Sequence, residues 1–232
     1  MHIPDGYLSP QTYLPLMGVF VAVTAVAVKK VKLDVSARYI PYLGMAAAFS
    51  FIIMMFNLPI PGGTSGHAVG SAVIALLFGP WAAVVAVSVA LIIQALVFGD
   101  GGITAIGANC FNMAIFMPFV AYYLFKLFSV NPMKKTRVFI AAFISGYFSL
   151  VLTAILTAVE FGIQPLIASD AEGKALYCPY DLSVAIPVMA IEHLVLFGIV
   201  EGLITALIVR YFLKSDPGLI FALRNKKGMH HD

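Results

Sequence analysis

The chain has 232 residues, 61% of them apolar and only 11% charged, with a formal net charge of +3. Soluble domains carry about 25% charged residues, so a water-covered globule is excluded. The length suits one helical bundle and leaves no room for a separate ATPase or other large soluble domain. Nothing in the charge pattern suggests a nucleic-acid partner.

Residues 1–10, Met-His-Ile-Pro-Asp-Gly-Tyr-Leu-Ser-Pro, have neither the basic start nor the apolar core of a signal peptide. The mature chain is therefore expected to begin at Met1, which the bulky His2 protects from aminopeptidase removal. First residues are usually frayed, but Pro4, the turn pair Asp5-Gly6 and the apolar Ile3 and Leu8 give this segment the look of a docked one.

Apolar spans follow at Gln11–Val28, Tyr39–Phe56, Pro80–Phe98, Ile103–Phe128, Val138–Phe161 and Leu182–Phe212; each is long enough for a transmembrane helix. A seventh piece, His67–Gly79, has only about 13 residues, short of the ~20 that a flat bilayer requires. Charge decides whether it crosses. With seven crossings and the N-terminus outside, thirteen of the fourteen Lys and Arg fall on one side, Lys174 excepted. The positive-inside rule makes that side cytoplasmic. With six, the cluster Lys126, Lys134, Lys135 and Arg137 would lie opposite the cluster around Lys29 and Lys30. The expected fold is thus an all-α membrane protein: seven transmembrane helices, the N-terminus outside and the C-terminus cytoplasmic, in a multi-pass prokaryotic cell (inner) membrane protein. The chain reads as one domain, 1–232, with segment 1–10, loop 57–70 and a cytoplasmic tail 213–232. On this topology the outer stretches 1–10, 57–66 and 99–102 contain no Lys or Arg, so they do not repel an arriving cation.

Five histidines are available. His230 and His231 end the polar tail and read as solvated. His67 closes Pro61-Gly62-Gly63-Thr64-Ser65-Gly66, a run suited to no regular helix or strand; it reads either as a surface turn or as irregular backbone dipping toward a protected cavity. His2 is distinctive by position. A chain-terminal amine deprotonates readily, and the Met1 amine, the His2 main-chain nitrogen and the His2 Nδ1 can close adjoining chelate rings. One nitrogen from His67 would complete four in a plane, a geometry suited to Ni(II) or Cu(II) and ill suited to Mg(II) or Ca(II), which prefer oxygen.

Glu192, His193 and Glu201 lie inside the last span, where ionisable residues are costly and functional or paired. His193 reads as a support or pathway residue; Glu201 reads as contacting a partner subunit or accepting backbone hydrogen bonds. Asn109 and Thr104, in the loop and helix start after Asp100-Gly101-Gly102, can hydrogen-bond a ligating histidine. Ala82, Ala86 and Ala90, and Gly198 with Gly202, repeat at four-residue spacing and read as close internal helix contacts. Cys110 and Cys178 read as packing residues. The sequence contains no HExxH, P-loop or GxSxG.

Met1-His2-Ile3-Pro4-Asp5-Gly6, Gly62-Gly63-Thr64-Ser65-Gly66-His67, Asp100-Gly101-Gly102 with Asn109, and Glu201-Gly202 closely resemble the CbiM/NikM family over nearly the whole chain. These are the substrate-capture (S) components of energy-coupling factor (ECF-type ABC) transporters for nickel and cobalt. The resemblance implies a seven-helix bundle whose N-terminal segment inserts from outside. It implies Ni(II) or Co(II) as the transported substrate, held by Met1, His2 and His67, with Thr64, Ser65 and Asn109 as supporting residues beside the His193 read from its place in the span. It implies, as partners, a transmembrane coupling (T) subunit, two ABC ATPase subunits and a small accessory membrane subunit, the chain itself being no enzyme. Two rivals remain at this stage: a membrane enzyme using Glu192, His193 and Glu201 as acid/base groups, and a passive metal channel.

Overall fold

The computed structural model describes residues 1–34, 40–60, 64–129 and 134–223. Seven helices follow in order: α1 (Pro10–Asp34), α2 (Ile40–Met55), α3 (Ser71–Phe78), α4 (Pro80–Phe98), α5 (Ile106–Phe128), α6 (Lys135–Gly162) and α7 (Leu182–Ser215). By length and composition α1, α4, α5, α6 and α7 can each cross a membrane, whereas α2 is 16 residues long and α3 only 8. Each begins and ends within a few residues of its apolar run, because hydrophobicity alone dictates where backbone must bond to itself.

α6 and α7 pack most extensively against one another, and α3 lies between α5, α4 and α7. Small residues allow this. A Cβ on Gly202 would stand 2.9 Å from the Phe143 carbonyl, and one on Gly146 would stand 3.0 Å from that of Glu201. Ala82, Ala86 and Ala90 are likewise buried, as internal packing requires. α1 lies at the edge, only 11% of its most apolar window being buried. Its exposed Leu14 and Val21, with Val97 on α4 and Tyr211 on α7, form a lipid-suited surface.

Two sequence expectations change. Thr64–Gly66 is a short strand, β2, paired antiparallel with β1 (Leu58–Ile60) in the register Pro59↔Ser65, so part of the glycine-rich run is regular after all. Three extended residues on each arm suffice for a hairpin, and Pro59 tolerates its missing N–H because the pair has open edges. Gly62 and Gly63 lie outside the described residues, as do His230 and His231. The short helix starts at Ser71, not His67, because Gly70 takes a left-handed conformation (φ 74°) and ends the preceding extended stretch.

Three helices contain a π-turn: Gln94–Phe98 in α4, Phe111–Phe116 in α5 and His193–Phe197 in α7. Such turns insert one extra residue and concentrate at functional sites. Each here carries a buried polar side chain, namely Gln94, Asn112 and His193.

Candidate metal centre

The chain start is folded into the protein. Met1, His2 and Ile3 are 1%, 4% and 0% exposed. Ile3 is fixed through its backbone: its N–H donates to Asn109 Oδ1 (2.8 Å), while its carbonyl accepts from Asn109 Nδ2 (3.2 Å) and from the Gly102 N–H (2.8 Å). The Asp5 carboxylate accepts from the N–H groups of Ile103 (3.0 Å) and Thr104 (2.9 Å) and from the Thr104 hydroxyl. The Thr104 hydroxyl, followed by these N–H groups, holds the Asp5 carboxyl below its usual range. Farther along, Tyr7 O accepts from Cys178 N–H, and Ser9 N–H donates to Gln164 Oε1 (2.9 Å). Glycine is required at 102, where a Cβ would stand 2.4 Å from Asp5 N and 2.7 Å from the Pro4 carbonyl carbon.

Against this docked start lies His67, wholly buried. Its ring stacks on that of His2, centroids 4.6 Å apart and planes at 25°. A carbonyl can only accept, so His67 Nδ1–H donates to Ala68 O (3.0 Å). That bond fixes the tautomer. Nε2 keeps its lone pair, buried and without a hydrogen-bond partner. His2 Nδ1 is 3.3 Å from Asp100 Oδ1, and Gln94 also reaches the His2 ring. The Met1 amine lies within range of the charges of Asp100 and Glu192. Among the described residues no three His, Cys, Asp or Glu side chains gather as a cation cage. The donors brought together are instead the chain-terminal nitrogens and two imidazoles.

The other expected residues fall as follows. Asn109 and Thr104 bond the N-terminal segment, at Ile3 and Asp5, rather than a histidine ring. They fix where His2 sits, one step removed from the role expected of them. Ser65 is part-buried in β2; Thr64 pairs in β2 through its backbone, and its side chain lies outside the described residues. His193 is buried, donates Nδ1–H to Met189 O (2.7 Å) and lies close enough to His67 and the Met1 amine to act on both electrostatically. Glu192 is only partly buried. Glu201 is fully buried and accepts from Val69 and Gly70 N–H. Sequence reasoning missed Glu160, which is 6% exposed and accepts from Asn112 Nδ2 (2.8 Å). Its signal was present, an acid at the end of an otherwise apolar span, one turn before the Gln164 that holds Ser9.

Burial sets the protonation of the chain start. Desolvation, opposed by Asp100 and then Glu192, lowers the Met1 amine from 8.0 to about 4. Desolvation and the neighbouring amine, opposed by Gln94, lower His2 from 6.5 to about 3. Both groups are therefore neutral, with lone pairs available, when docked at neutral pH. Both bind protons more readily when released, so docking is fully supported above the released values and weakens as pH falls toward the docked ones. At pH 7 stripping the amine costs about 1.4 kcal/mol, against about 3–6 kcal/mol from burying the Met1 and Ile3 side chains. At pH 5 amine and imidazole together cost about 6 kcal/mol, matching that gain. Hydrogen-exchange protection of the Ile3 amide in metal-free protein, corrected for intrinsic rates, is expected to fall between pH 8 and pH 5; constant protection would contradict this account.

Among the described residues, five apolar helices of spanning length define a multi-pass membrane protein, and its first residues lie buried beside the His67 ring. Residues 2–219 match the family model CbiM, "Cobalt uptake substrate-specific transmembrane region". The chain is 50% identical over 221 residues to the fused nickel transport protein NikMN of Rhodobacter capsulatus, covering 95% of this chain and 64% of that one. It is 32% identical over 227 residues to the cobalt transport protein CbiM of Ruminiclostridium cellulolyticum, covering 96% and 87%. A crystal structure of a truncated transition metal transporter superposes with a TM-score of 0.89 at 47% identity, over 93% of this chain and 99% of that one. The chain belongs to the CbiM family, and the relatives reported above are named transport proteins. It spans about two thirds of the length of the fused relatives, 64% and 66% for two of them.

Proposed function

We propose that the chain is the metal-capturing subunit of an ATP-driven nickel or cobalt importer. The observation that carries this reading is the burial of the Met1 amine and His2 against the lone pair of His67. In this mode the Met1 amine, the His2 main-chain nitrogen (its amide proton released to solvent), the His2 Nδ1 and the His67 Nε2 surround one cation in a plane. Binding takes His2 Nδ1 from Asp100 to the metal and leaves that carboxylate beside a dication. Planar nitrogen ligation with a main-chain donor favours Ni(II) over Co(II); metal analysis of the purified protein decides between them.

The charge distribution supports seven crossings with the site outside and the C-terminus in the cytoplasm. The sequence contains no P-loop, so uphill transport is assigned to partners: a transmembrane coupling subunit, two ATP-binding-cassette ATPases and a small accessory membrane subunit. An enzyme using Glu192, His193 and Glu201 is disfavoured, because the Glu201 carboxylate is occupied by backbone N–H groups. A passive channel would conduct metal without the ATPases, and uptake assays with and without them separate the two.

The test is equilibrium nickel binding to His2→Ala and His67→Ala. Each removes one nitrogen and is expected to weaken binding by more than about 100-fold, beyond the usual cost of losing an outer support. Unchanged affinity in both would end the proposal.

A further inference from the structure

The four nitrogens of the proposed site hang from two different supports. Met1 and His2 are held by the start of α5 and the turn before it, through Gly102, Ile103, Thr104 and Asn109. His67 belongs to the stretch 66–70. That stretch is held from α7. Val69 N–H donates to Glu201 Oε2 (2.8 Å), and Gly70 N–H donates to both carboxylate oxygens (3.1 and 3.0 Å). One turn earlier on α7, Phe197 lies against Gly66, so closely that a Cβ there would fall 2.0 Å from its ring. α2 adds one bond, Ser50 Oγ to Val69 O (2.8 Å).

The geometry points to Glu201 as the positioning residue that seats His67 opposite the chain start. This rests on the proposed capture site and gives Glu201 a task within it. Three features carry the assignment. Glu201 is 0% exposed, in a bundle where an unpaired carboxylate is very costly, and it accepts only from backbone. The N–H groups it takes lie two and three residues after His67 and open the 8-residue helix α3, whose positive end favours an anion. Gly70, left-handed at φ 74° without strain because it is glycine, donates its N–H to both carboxylate oxygens. The Glu201 backbone is itself fixed, since Gly146 and Gly202 bring α6 and α7 into direct contact.

His67 therefore travels with α7, whereas Met1 and His2 travel with α5. A shift of α7 relative to α5 separates the donors without bending either helix, which opens the site to its cargo. Loss of the Glu201 bonds would let the stretch 67–70 relax and remove His67 from the plane even with the helices in place.

The experiment compares nickel affinity and ligand-field absorption of wild-type protein, Glu201→Leu, Glu201→Gln, His67→Ala and the double variant His67→Ala/Glu201→Leu, each first shown to be monodisperse and helical. Glu201→Leu is expected to bind nickel about 10–100-fold more weakly, with the absorption spectrum of His67→Ala. Glu201→Gln keeps one acceptor oxygen and should fall between Glu201→Leu and wild type. On the His67→Ala background Glu201→Leu should add nothing, because it acts through that ring. Wild-type affinity and spectrum in folded Glu201→Leu, or in Glu201→Gln should the Leu variant not fold, would overturn the assignment while leaving the capture site standing. Additive losses in the double variant would reduce Glu201 to a general stabiliser and overturn it too. Normal binding by His67→Ala would instead sink the capture site itself.

Discussion

One residue added ahead of Met1 is expected to abolish high-affinity nickel binding while leaving the helices unchanged. Two costs combine. The new peptide bond turns the Met1 amine, a basic donor, into an amide that accepts no metal without losing its proton. The added residue must also fit where Met1 is already 1% exposed, in an interior packed as densely as a crystal. The expected loss exceeds the 10–100-fold typical of outer supports, because a donor leaves and the chelate ring that it closed opens. Isothermal titration with nickel of the extended protein, and of the same protein after proteolytic removal of the extension, measures it. Recovery on removal is the expected result. Full affinity in the extended form would show that the amine takes no part.

Gly102→Ala is expected to have a comparable effect by another route. The added methyl would stand 2.4 Å from Asp5 N, 2.7 Å from Asp5 Oδ1 and 2.7 Å from the Pro4 carbonyl carbon. Two of these are main-chain atoms and cannot turn aside, so the N-terminal segment must leave. With it go the Ile3–Gly102 and Ile3–Asn109 bonds and the burial of Met1 and Ile3. Nickel affinity should fall by about 100-fold or more, with thermal stability of the bundle nearly unchanged, because no core helix contact is touched. Gly18→Ala is the control. It lies in α1 with nothing within 4 Å of a new Cβ, and alanine favours helix by about 1 kcal/mol. Wild-type binding by Gly102→Ala would show that the segment tolerates displacement and that its docking does not build the site.

The helices were legible because a bilayer enforces one rule, backbone bonded to itself under an apolar surface, and that rule writes itself into composition. Chelate chemistry at position two and the family motif singled out Met1, His2 and His67, which the structure buries together with the two rings stacked. The supports were not legible. Asn109 was read as a partner for a ring, yet it bonds the backbone of Ile3, 106 positions earlier; no local pattern encodes such a choice. The seat of His67 depends on a carboxylate 132 positions beyond Val69. The π-turns left no trace, since one inserted residue changes neither hydropathy nor length enough to notice. Glu160 was passed over because one acid barely lowers the mean hydropathy of a long span, although its bonds to Asn112 show that it is an interior residue.

The far-reaching anchors of the first ten residues also constrain how the protein is born. Ile3 waits for Asn109 and Ser9 waits for Gln164, separations of 106 and 155 positions. Ribosomes add about 5–20 residues per second, so the leading end spends on the order of 5–30 s without its full seat while later helices emerge. On the proposed topology it also crosses the membrane, and the proposed capture site requires its amine to stay bare meanwhile. A chain whose leading nitrogen is acylated in that interval would complete its fold with a donor already lost.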